Sequence, residues 1–193
     1  MPAKVVVTVT TVAVAVLVAG CATVSPQVRH AVSVGNSTPQ AAPVTPDRRI
    51  GALFLGGGDL HACTASVLDS PAGDLILTAA HCLGGGAEAD FAAGFSGTAG
   101  AETLWHVDAV YLDPRWTETQ NPRADFAIAR VSREAGGSVA AAVGGGLQLG
   151  AAPAPGTDVA ITGYPMGVGG GPIGCHAPTS TTKAGFPLLR CDG

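Results

Sequence analysis

Short apolar runs, separated by turn-forming residues, constrain the fold of this chain more than any other feature. Six such runs follow one another, each of a length that suits one strand: residues 50–55, 63–68, 75–80, 89–95, 104–112 and 126–131. The chain has 28 glycines and 14 prolines and few long amphipathic repeats, which disfavours a helical bundle. Six strands at these intervals predict one small antiparallel β-barrel.

The second half of the sequence predicts fewer strands. Residues 132–156 are rich in Ala, Gly and Pro, and they predict a connector with one strand at 141–149. A further strand is predicted at 158–164, before the glycine-rich loop 166–174, and a last one at 184–190. These elements predict a second lobe that is begun but unfinished within this sequence.

The first twenty residues have the pattern of an export signal. Lys4 gives a short positive start, and residues 5–18 form an apolar run broken only by threonines. The segment ends in Val18-Ala19-Gly20-Cys21, and small residues before a cysteine resemble the lipobox of bacterial lipoproteins. This resemblance implies cleavage before Cys21 and a lipid on its sulfur. Secretory cleavage near Ala22 and an uncut anchor are the alternatives, and the run is shorter than the ~20 apolar residues that span a bilayer.

Residues 21–49 follow as a predicted flexible tether or pro-region. They are rich in Ala, Pro, Ser, Thr and Val and have no sustained helical or strand period. We therefore expect a signal peptide at 1–20 and the folded domain at 50–193. Arg49-Ile50 has two interpretations, a zymogen cleavage site or the plain start of the first strand, and we favour the strand start.

Charge and residue spacing exclude several classes of partner. Only 12% of the residues are charged and the formal net charge is −4, so no basic surface for nucleic acid or anionic lipid is expected. Membrane attachment is expected only through a lipid on Cys21, and the protein is expected to be a monomer without a cofactor. Neighbouring His and Cys residues occur as three pairs: His61 with Cys63, His81 with Cys82, and Cys175 with His176. Because no Cys-x-x-Cys or His-Glu-x-x-His spacing occurs, no metal site is predicted.

The cysteines predict two disulfides. Of the five, Cys21 lies in the signal region, which leaves an even set: Cys63, Cys82, Cys175 and Cys191. An even number in an exported chain favours disulfides outside the cytoplasm. The sequence allows three pairings, of which one joins nearest neighbours along the chain.

His81 is the candidate general base. It stands at the end of an apolar run and directly before a cysteine, in Leu77-Thr78-Ala79-Ala80-His81-Cys82. A serine hydroxyl is a poor nucleophile near neutral pH, so acyl transfer needs an imidazole that takes its proton. A purely structural histidine is the alternative interpretation.

Asp125 is the candidate carboxylate that orients this imidazole. It precedes an alternating apolar run at 126–131, and this pattern places it at the mouth of a half-buried strand. An ordinary turn aspartate is the alternative, and Asp108 and Asp113 are competing candidates. Asp113 precedes a proline, which is more typical of a turn.

These segments resemble the trypsin-like serine peptidases, in particular the secreted bacterial group, over residues 50–193. The resemblance is strong at Cys63-Thr64-Ala65-Ser66, at residues 77–82 and at 125–131, and moderate at 161–165. It implies an all-β, chymotrypsin-like double barrel with the first barrel complete and the second truncated, and a Cys63–Cys82 disulfide. It also implies a serine endopeptidase that hydrolyses peptide bonds through an acyl-enzyme, with His81 as base and Asp125 as orienter. Its substrate would be a protein or peptide, met outside the cytoplasm by a secreted or membrane-anchored enzyme.

The nucleophile is the missing part of the pattern. In this family, residues such as Cys191-Asp192-Gly193 lead within a few positions to Gly-x-Ser-Gly-Gly. We therefore expect the serine beyond Gly193 and expect the 193-residue chain itself to be inactive. Ser96, in Gly94-Phe95-Ser96-Gly97, lies between His81 and Asp125 in the first lobe and lacks the second glycine of that motif. Ser180 lies in a polar loop with no turn signature, so neither serine is a candidate. The alternative is a catalytically dead, membrane-tethered homologue that binds a partner.

Overall fold

The structure is a computed structural model that describes residues 38–86, 88–99, 103–166 and 170–192. The predicted signal peptide 1–20 and the predicted lipidation site Cys21 lie outside these residues. Within the described ranges, no helix has both the length and the apolar character required to cross a membrane.

The described chain is mostly β-structure. Its strands are β1 (Ala42–Pro43), β2 (Ile50–Leu55), β3 (His61–Val67), β4 (Leu75–Thr78), β5 (Ala89–Ala93), β6 (Leu104–Leu112), β7 (Ala127–Ser132), β8 (Asp158–Gly163), β9 (Ile173–Pro178), β10 (Ser180–Thr181) and β11 (Pro187–Leu188). Its helices are short: α1 (Ala80–Leu83), α2 (Pro114–Thr119), α3 (Val139–Val143) and a 3-10 turn at Pro122–Ala124.

Six strands close into an antiparallel barrel in the order β2-β3-β4-β7-β6-β5. Its interior is filled by large side chains that are almost inaccessible to solvent, among them Leu53, Val67, Ile76, Phe91 and Trp105. Burial of such side chains is the main force that holds a barrel of this size together. The barrel confirms the six predicted strands, and their ends differ from the predicted ones by two residues at most.

The helix α3 lies where the sequence predicts a strand at 141–149, and that prediction is wrong. The side chain of Ser138 accepts a hydrogen bond from the N–H of Ala141 at the start of the helix, and Gly144 ends it with φ 87°. Three consecutive alanines fill the helix, and alanine has the highest helix propensity. The strand pattern there is too weak to overcome this local preference.

A second sheet has three strands in the order β1-β9-β8, and β10 and β11 form a separate small hairpin. The predicted strand at 158–164 is present as β8, and it pairs antiparallel with β9 along its whole length. β9 is not apparent from the sequence, because it follows a glycine-rich loop directly and contains Gly174 and Pro178. Of the strand predicted at 184–190, only the two residues of β11 are extended.

Part of the segment predicted as a tether, residues 40–44, lies against this second sheet. β1 pairs with β9, and Gln40 forms a parallel bridge with Asp192. Val44 packs over Gly174, where an added Cβ would lie only 2.8 Å from the valine side chain. Glycine at position 174 therefore lets this segment approach β9. The domain boundaries themselves stay predictions.

Tyr164, directly after β8, connects the second sheet to the barrel. Its N–H donates to the hydroxyl oxygen of Thr64 at 2.7 Å, and its own hydroxyl donates to the buried carbonyl oxygen of Phe95 at 2.8 Å. Its ring also meets the buried ring of His61 edge-on. Burial raises the pKa of Tyr164 to about 12, and the nearby charge of Asp47 adds to the shift.

Replacing Tyr164 with phenylalanine is expected to lower the free energy of unfolding by about 1 kcal/mol at pH 7, because the Phe95 carbonyl loses its donor. The folded-state pKa of about 12 lies above the ordinary value of 10.0, so the tyrosine proton is held more tightly in the folded protein. The stability that the protonated Tyr164 hydroxyl contributes is fully present below pH 10 and is lost as the pH rises through 12. The stability difference between wild type and variant should therefore shrink over that range.

Urea unfolding at several pH values measures this difference. Tyr111→Phe is the matched control, since the Tyr111 side chain is 53% exposed, and its stability should stay close to that of the wild type throughout. A constant difference between wild type and Tyr164→Phe from pH 7 to pH 12 would show that the shifted tyrosine is not coupled to folding.

Candidate active site

His81 lies in the turn that follows β4. The strand ends at Thr78, whose hydroxyl donates to the carbonyl oxygen of Thr64 at 2.8 Å, and α1 begins two residues later. Ala80 and Leu83 of this short helix are buried in the barrel, while His81 between them is exposed. The apolar residues on either side thus fix the backbone and leave the imidazole facing solvent.

Two disulfides are present, Cys63–Cys82 and Cys175–Cys191, with sequence separations of 19 and 16. They are the nearest-neighbour pairing among the three that the sequence allows. In the chain-entropy model each contributes about 3 kcal/mol, because it restricts the unfolded chain. The first joins β3 to α1 next to His81, so it also holds the turn that carries the imidazole.

Asp125 lies between the 3-10 turn and the first residue of β7. β4 and β7 are antiparallel neighbours, with Thr78 opposite Ala127. In this register, a residue just after the end of β4 and a residue just before the start of β7 lie at the same end of the barrel. The barrel thus brings together two residues that are far apart in sequence, His81 and Asp125.

Both carboxylate oxygens of Asp125 contact His81. Oδ2 lies 2.8 Å from Nδ1 of the ring, and Oδ1 accepts a hydrogen bond from the backbone N–H of His81 at 2.9 Å. This two-point contact fixes the carboxylate relative to the ring. In the part of the chain that the structure describes, Nε2 has no hydrogen-bond partner, and the imidazole is 61% exposed. Nε2 is therefore open to a group that arrives from solvent.

The contacts of Asp125 also determine its charge. Burial raises the pKa of this carboxyl, but hydrogen bonds from the His81 ring and from the backbone N–H groups of His81 and Ala80 lower it. The resulting pKa lies below the ordinary value of 3.8, so Asp125 is ionised at neutral pH. An ionised carboxylate beside Nδ1 favours the tautomer with its proton on Nδ1 and a free lone pair on Nε2.

The competing aspartates form contacts elsewhere. Asp108 accepts a hydrogen bond from the hydroxyl of Ser132 at 3.0 Å. Asp113 accepts one from the N–H of Arg115 and caps α2, and hydrogen bonds from Arg115 lower the pKa of Asp113 to about 2. Asp113 therefore has the turn role that its proline neighbour indicates.

Among the described residues, neither of the two serines set aside from the sequence forms a hydrogen bond with His81. The hydroxyl of Ser180 donates to the carbonyl oxygen of Leu188 at 3.2 Å, and Ser96 is exposed in the loop after β5. Across residues 38–86, 88–99, 103–166 and 170–192, no serine hydroxyl is hydrogen-bonded to the imidazole.

Arg123 is a residue of this region that sequence reasoning does not identify. It belongs to the 3-10 turn just before Asp125, and its N–H donates to the side-chain oxygen of Asn121 at 3.0 Å. Its guanidinium lies 4.6 Å from the ring centre of Phe186 and donates to the carbonyl oxygen of Ala184. The turn that presents Asp125 is thereby connected to the loop between β10 and β11. The sole signal in the sequence is one cation two positions before the aspartate, which is too common a pattern to be specific.

Comparison with known proteins relates this arrangement to a family. Residues 63–186 match the family model of the trypsin-like peptidase domain. The protease Anisep from Arthrobacter nicotinovorans is similar in structure, with a TM-score of 0.64 and 23% identity over 74% of this chain and 69% of that chain.

Two further solved structures have the same fold. A thermostable serine protease, AL20, from an extremophilic microorganism has a TM-score of 0.63 and 22% identity over 72% of this chain and 69% of its own. A Glu endopeptidase in complex with MPD has a TM-score of 0.59 and 18% identity over 79% of this chain and 73% of that chain. At these identities the likeness is one of fold. Among curated proteins no match was found.

Proposed function

The chain belongs to the trypsin-like peptidase family, and on that premise we propose that it is a serine-type endopeptidase in which His81 is the general base and Asp125 its orienting carboxylate. One observation carries this proposal: the carboxylate of Asp125 contacts both the backbone N–H and Nδ1 of His81. A carboxylate that only capped a turn would accept from the backbone N–H alone and would not contact Nδ1 of the ring.

The chemistry follows from the tautomer that this contact favours. Nε2 takes the proton of a serine hydroxyl as the oxygen attacks the carbonyl carbon of a peptide bond. The imidazolium that forms is stabilised by the Asp125 carboxylate, which stays ionised. Nε2 then gives the proton to the leaving amine, and a water molecule activated in the same way releases the acyl group.

The proposal assigns two of the three groups that this reaction needs. The described residues offer no serine hydroxyl bonded to the imidazole, so the nucleophile is not assigned. For that reason, we expect the 193-residue polypeptide on its own to be unreactive toward a serine-directed phosphonate.

Substrate and compartment follow at the level of the family. The substrate is a protein or peptide, since acyl transfer by this mechanism acts on a peptide carbonyl. Two disulfides favour an extracytoplasmic compartment, where they form and persist. Secretion, or anchoring through Cys21, remains a prediction from the sequence.

Labelling by an aryl phosphonate tests the proposal. On the protein expressed from its complete gene, we expect one serine to be labelled, and we expect His81→Ala to abolish the labelling. His176→Ala is the control, because His176 is exposed on β9 and should leave the labelling unchanged. Labelling that persists in His81→Ala would exclude His81 as the base. Absence of labelling in the wild type would favour the catalytically dead homologue that binds a partner.

A further inference from the structure

The carboxylate that orients His81 extends from a turn and not from a strand or a helix. Asp125 has φ −78° and ψ 62°, and across it the N–H of Phe126 donates to the carbonyl oxygen of Ala124 at 2.9 Å. These dihedrals and this hydrogen bond define an inverse γ-turn centred on Asp125. The direction of the Asp125 side chain is therefore set by the two segments that flank it, the 3-10 turn and β7.

The two flanking segments are held in place differently. β7 is paired with β4 on one side and with β6 on the other. The 3-10 turn belongs to no sheet; Asn121 accepts hydrogen bonds from the N–H groups of Arg123 and Ala124, and Ala124 is buried. The side chain of Arg123, the middle residue of the turn, is exposed and reaches the loop between β10 and β11. Through Arg123, the turn is thus attached to a part of the chain outside the barrel.

We propose that Arg123 and Phe186 are positioning residues of the proposed base. The guanidinium, stacked on the phenyl ring, keeps the 3-10 turn in the orientation that directs the carboxylate of Asp125 at His81. This positioning does not depend on catalysis. Its consequence for the rate of peptide hydrolysis rests on the proposed function.

The loop that carries Phe186 is closed on itself. The N–H of Phe186 donates to the hydroxyl oxygen of Thr182 at 2.9 Å, and its carbonyl oxygen accepts from the N–H of Thr182 at 2.8 Å. Gly185 has φ 83°, a left-handed conformation that suits glycine, and its N–H donates to the carbonyl oxygen of Thr182 at 2.9 Å. These hydrogen bonds fix the backbone from which the phenyl ring extends.

The contact between Arg123 and this loop has two components. The guanidinium carbon lies 4.6 Å from the ring centre of Phe186, within the ~6 Å at which a ring face attracts a cation. The guanidinium also donates to the carbonyl oxygen of Ala184. Because a guanidinium is planar, stacking and a hydrogen bond together fix its orientation as well as its position. Such a contact restrains the turn from which it extends.

Arg123 acts through position and not through charge. Burial raises the pKa of Asp125 and hydrogen bonds from His81 and Ala80 lower it, whereas Arg123 contributes to neither effect. Among the described residues, the guanidinium forms no ion pair with the Asp125 carboxylate. Loss of the contact with Phe186 therefore changes where the carboxylate lies and leaves its charge unchanged.

The position of the carboxylate determines the tautomer of His81. The hydrogen bond that one ring nitrogen makes decides which of the two carries the proton. Oδ2 of Asp125 lies 2.8 Å from Nδ1, so a displacement of about 1 Å takes this pair outside hydrogen-bonding distance. The proton then also occupies Nε2, which removes the lone pair that would accept the proton of a serine.

Chemical shifts of ¹⁵N-labelled histidine in the 193-residue polypeptide measure this positioning. In Arg123→Ala, we expect the ratio of the Nδ1-protonated to the Nε2-protonated ring of His81 to fall at least about threefold. Phe186→Leu should give the same fall, although it keeps the charge of Arg123. Phe186→Tyr keeps an aromatic ring at this position, and its ratio should equal that of the wild type. Because Arg123 is exposed, its replacement should leave the fold intact.

Arg133→Ala is the matched control. The Arg133 guanidinium carbon lies 4.4 Å from the ring centre of Trp105, so this variant also removes a stacked cation, but one that follows β7 instead of preceding it. Its tautomer ratio should equal that of the wild type. In the protein expressed from its complete gene, Arg123→Ala and Phe186→Leu should lower kcat about tenfold and leave KM within about twofold, as expected when a reacting group is misplaced.

Three results would overturn the positioning role. They are a ratio that Arg123→Ala leaves unchanged, a ratio that Arg123→Ala changes and Phe186→Leu does not, and an equal change in Arg133→Ala. The tautomer does not report catalysis, so the proposed function can fail separately. A changed ratio with an unchanged kcat, or a wild type that no phosphonate labels, would contradict the catalytic role of His81 and leave the positioning role supported.

Discussion

Replacing His81 with alanine is expected to lower kcat of the protein expressed from its complete gene by at least about 10⁴-fold. Without the imidazole, no group in the described site can take the proton of a serine hydroxyl, because Asp125 reaches that proton only through the ring. KM should change little, since the imidazole acts on the reacting atoms and contributes little to ground-state binding.

Peptide hydrolysis followed by release of a chromogenic amine measures this effect. His176→Ala is the control for loss of a histidine, and its kcat should stay within about twofold of the wild type, as expected of a surface change away from the site. A His81→Ala enzyme that keeps a tenth or more of the wild-type kcat would show that another residue is the base.

Replacing Asp125 with asparagine is expected to lower kcat by about 10⁴-fold at neutral pH. The asparagine amide can still accept from the backbone N–H of His81, but its NH₂ group then faces Nδ1. Nδ1 would become an acceptor and the ring proton would move to Nε2, so the ring could no longer take a proton from serine. Asp113→Asn is the matched control, and its kcat should stay within about tenfold of the wild type. A similar loss in both variants would contradict a specific role of Asp125.

The same substitution should change how stability depends on pH. The pKa of Asp125 is lower in the folded protein than its ordinary value of 3.8, so its contribution to stability is present above that pH. It is lost as the pH falls through the folded-state pKa. The wild type should therefore lose more stability than Asp125→Asn as the pH falls through and below 3.8, the ordinary value from which the pKa of Asp125 is lowered.

The pairing of His81 with Asp125 could be predicted because it depends on strand ends. Each of the two residues adjoins a run of alternating or apolar residues. Such periodicity specifies which segments become strands of the barrel. Once β4 and β7 are neighbours, the two side chains necessarily lie at one end of the barrel. The family resemblance at residues 77–82 and at residues 125–131 indicates the same pairing.

The second sheet and its connections could not be predicted, for two physical reasons. β9 contains a glycine and ends in proline, so its strand pattern is weak, and its pairing with β8 and β1 is a long-range property. The contacts of Tyr164 with Phe95 and of Arg123 with Phe186 join residues more than sixty positions apart. No local pattern encodes such contacts. In helix α3, by contrast, local sequence determines the structure, because its three alanines have high helix propensity.

The tautomer of His81 tests the central claim most directly. In the 193-residue polypeptide with ¹⁵N-labelled histidine, chemical shifts distinguish a protonated ring nitrogen from an unprotonated one at a pH where the ring is neutral. We expect Nδ1 of His81 to carry the proton and Nε2 to be free, and we expect Asp125→Asn to move the proton to Nε2. A wild-type ring protonated on Nε2, or a tautomer that Asp125→Asn leaves unchanged, would contradict the account.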